Sequence, residues 1–156
     1  MLIGAVGHRD GLQNEDRILD PKVRADLCER LAAAGLKRIE AASFVNPKLV
    51  PQMAGAEELI AALHRQAGTT YAGLVLNEKG YERAVAAQVD EVHYAMAATD
   101  TFGRRNQNAS TDEGVETALA LVRRARNDKI PITVTISVAF GCPFEGPVPA
   151  KKVLGI

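Results

Sequence analysis

The chain has 156 residues, 47% hydrophobic and 24% charged, a composition that suits one soluble domain with a buried core and excludes a disordered chain. Its 19 Lys+Arg balance 19 Asp+Glu, and only 4% of residues are aromatic, none of them Trp. Neither nucleic acid nor an anionic membrane surface is therefore an expected partner. No apolar run approaches the roughly 20 residues of a membrane span, and the start at Met1-Leu2-Ile3 shows no basic leader, so a cytoplasmic location is expected. Residues 2–6 form a short apolar run that reads as a first strand, followed by a polar, glycine-containing stretch over 7–20. Asp20-Pro21 supplies an N-cap and a proline at the first helical position. A helix over 21–34 is expected, with Val23, Leu27 and Leu31 as its apolar stripe and Gly35 as its stop.

The alternation continues with strands over 36–42 and 71–76 and helices over 54–66 and 80–87. A fourth strand is predicted at 91–97, then a polar loop. Ser110-Thr111-Asp112-Glu113 has the spacing of a capping box, opening a helix to about residue 126 with Val115, Leu119 and Val122 on its buried face. Residues 132–139, rich in β-branched side chains, predict a fifth strand, and Pro149 predicts a further helix start. Five strands alternating with helices imply right-handed crossovers and a parallel sheet, an α/β fold without a linker or low-complexity break. Periodicity alone leaves open whether the sheet is flat or part of a barrel. No Gly-x-Gly-x-x-Gly or Walker loop follows a strand, which lowers the weight of nucleotide-binding folds.

Polar residues follow several strand ends, at Arg9-Asp10, Glu40, Asn77 and Cys142, where both barrels and open α/β sheets place their chemistry. Asp10 is the best metal-ligand candidate, because a carboxylate is a hard oxygen donor for Mg²⁺ or Mn²⁺. Arg9 beside it could stabilise negative charge developing on a carbonyl oxygen, although the two side chains read equally well as an ion pair. Glu40, on a neighbouring parallel strand, is expected to face the same cavity, where two carboxylates need a cation between them. The bland alternative is a salt bridge closing the strand end. His8 is expected to line the barrel end, His64 to lie on a helix surface and His93 to be a hydrogen-bonded core residue. Cys28 and Cys142 lack metal-binding or disulfide spacing and are expected to be free thiols, Cys142 packed rather than nucleophilic. Arg104 and Arg105 could meet an anionic ligand such as a CoA phosphate, or simply be solvated in a loop.

Several motifs also carry a family resemblance. Val6-Gly7-x-Arg9-Asp10-Gly11-Leu12-Gln13-Asn14-Glu15 and Ile39-Glu40-x-x-Ser43-Phe44-Val45-x-Pro47-Lys48 resemble the 3-hydroxy-3-methylglutaryl-CoA lyases of the DRE-TIM metallolyase group. Asn77-x-Lys79-Gly80, Phe102-x-x-x-Asn106-x-Asn108-x-Ser110 and Gly141-Cys142-Pro143-Phe144-Glu145-Gly146 follow in the same order, so the resemblance covers essentially the whole chain. It implies a TIM barrel of which residues 1–156 are the N-terminal part, about five of eight (β/α) units and hence an incomplete barrel. It also implies a retro-Claisen cleavage of a CoA thioester to acetyl-CoA and acetoacetate, assisted by Mg²⁺ or Mn²⁺, as in leucine catabolism and ketone-body formation.

By that resemblance Arg9 stabilises the enolate of the departing acetyl-CoA, Asp10 binds the metal, and Glu40 helps order water and substrate beside it. Gln13 and Ser43 line the substrate pocket. His8 stands in place of the family's usual Pro, and Ala5 where an acidic residue is common. The family's His-x-His metal pair, final Asn ligand and catalytic loop Cys belong to strands beyond residue 156. Two other readings stay open. One is a related Claisen-type acyltransferase such as isopropylmalate synthase; the other is an inactive half-barrel acting as a binding or assembly unit, with homo-oligomers formed through its open strand edges.

Overall fold

The computed structural model describes residues 3–156. Short apolar segments become one five-stranded parallel sheet: β1 (Gly4–Ala5), β2 (Arg38–Ser43), β3 (Thr70–Val75), β4 (Glu91–Ala97) and β5 (Ile132–Ser137), adjacent in that order. The expected first strand is reduced to the two residues that pair with Arg38 and Ile39, and Leu2 lies outside the described residues. The register between β2 and β3 slips between Glu40 and Ala42, a bulge at the strand end that carries the polar residues. Glu40 on β2 touches His93 on β4 across the intervening β3, which requires the sheet to be concave on that face. The architecture is accordingly α/β, a curled half of a TIM barrel with β1 and β5 as open edges.

Helices α2 (Pro21–Ala33), α3 (Ala56–Ala62), α4 (Glu78–Ala86) and α6 (Thr111–Asp128) cover the convex face, joined by α1 (Gly7–Asp10), α5 (Asp100–Gln107) and α7 (Ala150–Leu154). β6 (Gly141–Cys142) and β7 (Gly146–Pro147) form a small antiparallel pair past β5. The apolar core lies between sheet and helices. Ile39, Tyr71, Val75, Val92, Tyr94 and Met96 from the strands meet Cys28, Leu59, Tyr81 and Leu121 from the helices. The concave face carries polar layers instead. At its foot Arg38 donates Nε to Glu91 at 2.8 Å and a terminal nitrogen at 2.6 Å, and Thr133 donates to the same carboxylate at 2.5 Å.

Several boundaries and faces differ from expectation. α2 buries Ala25, Cys28 and Ala32, whereas Val23 is exposed and Leu27 and Leu31 are only half-buried. Small side chains let the helix sit close to the sheet, so bulk was a misleading guide to its inner face. α6 behaves likewise. Gly114, Ala118, Leu121 and Ala125 face the sheet, and a Cβ at Gly114 would lie 3.2 Å from Met96 Cβ. Leu119 is exposed, and with Val115, Val122, Val134, Ile136 and Ile156 it lines an apolar depression of about 220 Å³ beside β5.

α3 stops at Ala62 because Leu63 turns extended and buries its side chain. Asn77 starts α4 two residues earlier than expected, accepting from Gly80 N at 2.9 Å. The predicted polar loop after β4 contains α5, anchored where Gln107 donates to Ala95 O at 2.5 Å and Asp100 accepts from Thr111 N at 2.8 Å. β5 ends at Ser137, because Val138 takes a left-handed φ of 51°, a strained conformation for a β-branched residue. The capping box and the helix start at Pro149 are both present.

Candidate active site

β1 delivers the chain to the C-terminal mouth of the half-barrel, where α1 forms a single helical turn. Arg9 N and Asp10 N both donate to Val6 O, at 3.0 and 2.8 Å, so adjacent side chains leave the same turn in different directions. Gly11 closes the turn with an ordinary φ of −63°; a Cβ there would lie 2.6 Å from Gly7 O. Close approach, rather than a left-handed backbone, is what requires glycine after the acid.

Arg9 turns inward and is buried, with its Nε donating to Glu40 Oε1 at 2.6 Å and a second nitrogen paired with the same oxygen. Its remaining terminal nitrogen reaches Asp10 Oδ1 at 3.0 Å and Gln13 Oε1 at 3.5 Å. The guanidinium thus stands between the two carboxylates and is the cation that their proximity demands. Asp10 keeps 65% of its side chain exposed, whereas Glu40 is 3% exposed. Burial pushes the Glu40 carboxyl upward, but the hydrogen bond from His93 and the charge of Arg9 outweigh it and hold the pKa below the usual glutamate value. Glu40 is ionised at neutral pH.

The structure therefore brings Arg9, Asp10, Gln13 and Glu40 together. Ser43, at the last position of β2, is 1% exposed, and its hydroxyl has no hydrogen-bond partner. His8 has both ring nitrogens buried without partners, and burial holds its pKa below the usual histidine value. Asp10, exposed though paired with Arg9 through Oδ1, is a hard-oxygen donor whose chemistry fits one position of a Mg²⁺ or Mn²⁺ site. Among the described residues, no group of three or more His, Cys, Asp or Glu side chains is arranged to hold a metal ion. A single carboxylate such as Asp10 could supply one ligand of such a site, not a whole set.

His93 is hydrogen-bonded, as expected, but its partners place it in this cluster. Nδ1 meets Glu40 and Nε2 lies 2.7 Å from Thr135 Oγ1. The signal that could have found it is the alternation of β4, which puts Glu91 and His93 opposite the core residues Val92 and Tyr94. His64 lies beyond the end of α3, exposed and 3.0 Å from Glu29. Cys142 is a packed thiol that accepts from the Thr99 hydroxyl at 3.1 Å, and no imidazole contacts it. Burial raises its pKa, but that hydroxyl and the backbone N–H groups of Phe144 and Glu145 outweigh burial and lower it. Arg104 pairs with Glu113 at 2.8 Å and Arg105 stacks over Phe144 at 4.1 Å. Both arginines are on α5 and have partners within the chain.

A parallel half-barrel with Arg9 and Asp10 just past β1 and Glu40 within β2 on the same concave side defines an α/β-barrel protein with a polar cluster on the side where such barrels place their sites. The HMGL-like family model matches residues 1–156, and the chain belongs to that family. It is 41% identical over 148 residues to a 3-hydroxy-3-isohexenylglutaryl-CoA/hydroxy-methylglutaryl-CoA lyase of Pseudomonas aeruginosa, covering 95% of this chain and 49% of that protein. It is 42% identical to an (R)-citramalyl-CoA lyase of Chloroflexus aurantiacus, covering 97% of this chain and 51% of the relative. An HMG-CoA lyase of Acinetobacter baumannii, solved with coenzyme A and 3-methylmalate, superposes with a TM-score of 0.93 at 32% identity over 99% of this chain and 50% of that one. The chain spans about half the length of the relatives it matches. No helix among the described residues is long and apolar enough to cross a membrane.

Proposed function

We propose that residues 1–156 are the N-terminal part of a TIM-barrel carbon–carbon lyase that cleaves 3-hydroxy-3-methylglutaryl-CoA to acetyl-CoA and acetoacetate in the cytoplasm. The observation that carries this reading is Arg9, a buried guanidinium fixed by Glu40 with one terminal nitrogen turned toward Asp10 and Gln13. In the reaction the C3 hydroxyl loses its proton, the C2–C3 bond breaks, and the hydroxyl oxygen becomes the ketone of acetoacetate. The bond's electron pair passes to the thioester as an enolate, which is protonated at C2 to give acetyl-CoA.

Arg9 is suited to the enolate oxygen because its donors are held in place before charge develops, which lowers the barrier without reorganisation at the moment of reaction. Glu40 keeps the guanidinium oriented, and Gln13 and Ser43 offer polar contacts to the substrate. Asp10 would hold Mg²⁺ or Mn²⁺, which when bound supplies Lewis-acid polarisation of substrate oxygens. The (R)-citramalyl-CoA lyase relative, as similar as the other, makes citramalyl-CoA the second substrate to test.

Residues 1–156 contribute Arg9, Asp10 and Glu40 to the site. Open edges at β1 and β5, with the apolar depression beside β5, favour association, and a second copy of the chain is one partner they would accept. The test is a chimera in which residues 1–156 replace the matching half of the Pseudomonas aeruginosa relative. With Mg²⁺ or Mn²⁺ it should release acetyl-CoA and acetoacetate from 3-hydroxy-3-methylglutaryl-CoA, while residues 1–156 alone should show no turnover. A folded, metal-replete chimera inactive on both thioesters would refute the proposal; activity on citramalyl-CoA alone would reassign the substrate.

A further inference from the structure

We propose that His93 is a positioning residue of this site: braced by Thr135, it locks the Glu40 carboxylate in the orientation that presents Arg9 to the mouth of the half-barrel. The inference rests on the lyase reading for its purpose, and on the concave face of the sheet for its geometry. Three strands converge on one buried carboxylate system. Glu40 comes from β2, His93 from β4 and Thr135 from β5. Glu40 Oε1 accepts from Arg9, and Oε2 is engaged by His93 Nδ1. With both oxygens held from opposite sides, the carboxylate cannot rotate without breaking a buried contact.

A carboxylate only accepts, so Nδ1 carries a proton toward Glu40, and Nε2 meets the Thr135 hydroxyl 2.7 Å away. That second bond fixes the ring plane. The span from β4 to β2 is open because β3 places Ala72, in register with Glu40, between them. A small pocket of about 20 Å³, lined by Gly4, Arg38, Glu40, Ala72 and His93 among others, remains there. The layer below cannot substitute for His93, because Arg38 is committed to Glu91 by two hydrogen bonds. Among the described residues, Arg9 and His93 are the side chains hydrogen-bonded to Glu40.

A merely space-filling role makes a different prediction, since leucine fills a similar volume and leaves Arg9 and Glu40 to pair alone. The discriminating readout is hydrogen exchange of the Arg9 Nε–H in the isotope-labelled 156-residue chain, assigned by its absence in Arg9→Lys. In the wild type this proton should exchange roughly tenfold or more slowly than those of exposed arginines, as a charge-assisted buried hydrogen bond requires. His93→Leu should lose that protection. His93→Asn, whose amide N–H takes the place of Nδ1–H, should retain it.

Protection unchanged in a folded His93→Leu, or lost as fully in His93→Asn, would overturn the proposal. Where His93→Leu does not fold, Thr135→Val decides: partial loss of Arg9 protection upholds the brace, and unchanged protection overturns it. Lyase turnover is read separately in the chimera. An inactive chimera with a protected Arg9 would therefore fail the lyase reading alone, and an active one with an unprotected Arg9 would fail this inference alone.

Discussion

Replacing Glu40 with glutamine removes one negative charge from the buried centre of the site while keeping its shape. Glu40 is 3% exposed and Arg9 9%, so the substitution leaves a guanidinium with its principal counter-charge gone and little water to replace it. Breaking one partner of a buried pair costs about 3–5 kcal/mol, and Asp10, 3.0 Å from the same guanidinium but largely solvent-exposed, offsets part of that. A loss of about 2–4 kcal/mol at pH 7 is expected on this basis. The pH dependence has a definite sign. Glu40 has its pKa depressed on folding, so its contribution is complete above the unfolded glutamate value of about 4.3 and is lost as pH falls below that. Urea denaturation followed by circular dichroism should therefore show a gap between wild type and Glu40→Gln that is constant from pH 7 to 5 and narrows below pH ~4. A gap under about 1 kcal/mol at pH 7, the size expected of an exposed pair, would refute the reasoning, as would a gap that ignores acid.

Asp10→Asn should weaken Mn²⁺ binding to the chimera, read from the loss of the free-ion electron paramagnetic resonance signal, because it removes an anionic oxygen and preserves the shape; unaltered affinity would remove Asp10 from the ligand set. Ser110→Ala deletes one half of the capping box at α6, in which Glu113 N donates to Ser110 Oγ at 3.2 Å and Ser110 N to Glu113 Oε2 at 2.7 Å. It should cost about 1 kcal/mol in the same denaturation assay, and no change would mean that packing alone fixes the helix start. The pair Leu119→Lys and Val134→Lys places two charges in the apolar depression beside β5. Light scattering should show less self-association than wild type with secondary structure retained, and equal association would place the contact elsewhere.

The strand-and-helix alternation was legible because β-branched runs, a proline at N1 and a capping box are local signals that tertiary packing did not override. The cluster was half legible. Arg9, Asp10 and Glu40 stood out as polar residues closing apolar runs, although Glu40 lies within β2 rather than past it, and Gln13 and Ser43 entered only through the family resemblance; the link through His93 depends on how far the sheet curls, which no local pattern encodes. The inner faces of α2 and α6 were misread for a related reason. Close helix-on-sheet packing selects Gly114, Ala118 and Ala125 for the contact, so of the bulkier residues Val115 packs only against the margin of the core, while Leu119 and Val122 mark the side of α6 beside the open edge. α5 escaped notice because Gly103 and Asn106 are weak helix formers, and a Cβ at Gly103 would lie 2.4 Å from Ala109 O. Its glycine serves a close approach that only the fold reveals.

The role proposed for Arg9, stabilising charge that develops on the departing acetyl-CoA, is measured by steady-state kinetics of Arg9→Lys in the chimera. Lysine keeps the positive charge but lacks the planar fork that reaches Glu40 and Asp10 together. Loss of a positioned donor to a developing oxyanion typically lowers kcat about a hundredfold to a thousandfold. A fall of that size in kcat is expected, with KM for 3-hydroxy-3-methylglutaryl-CoA nearly unchanged, since the interaction belongs to the transition state. An unaltered kcat, or a loss confined to KM, would contradict that role.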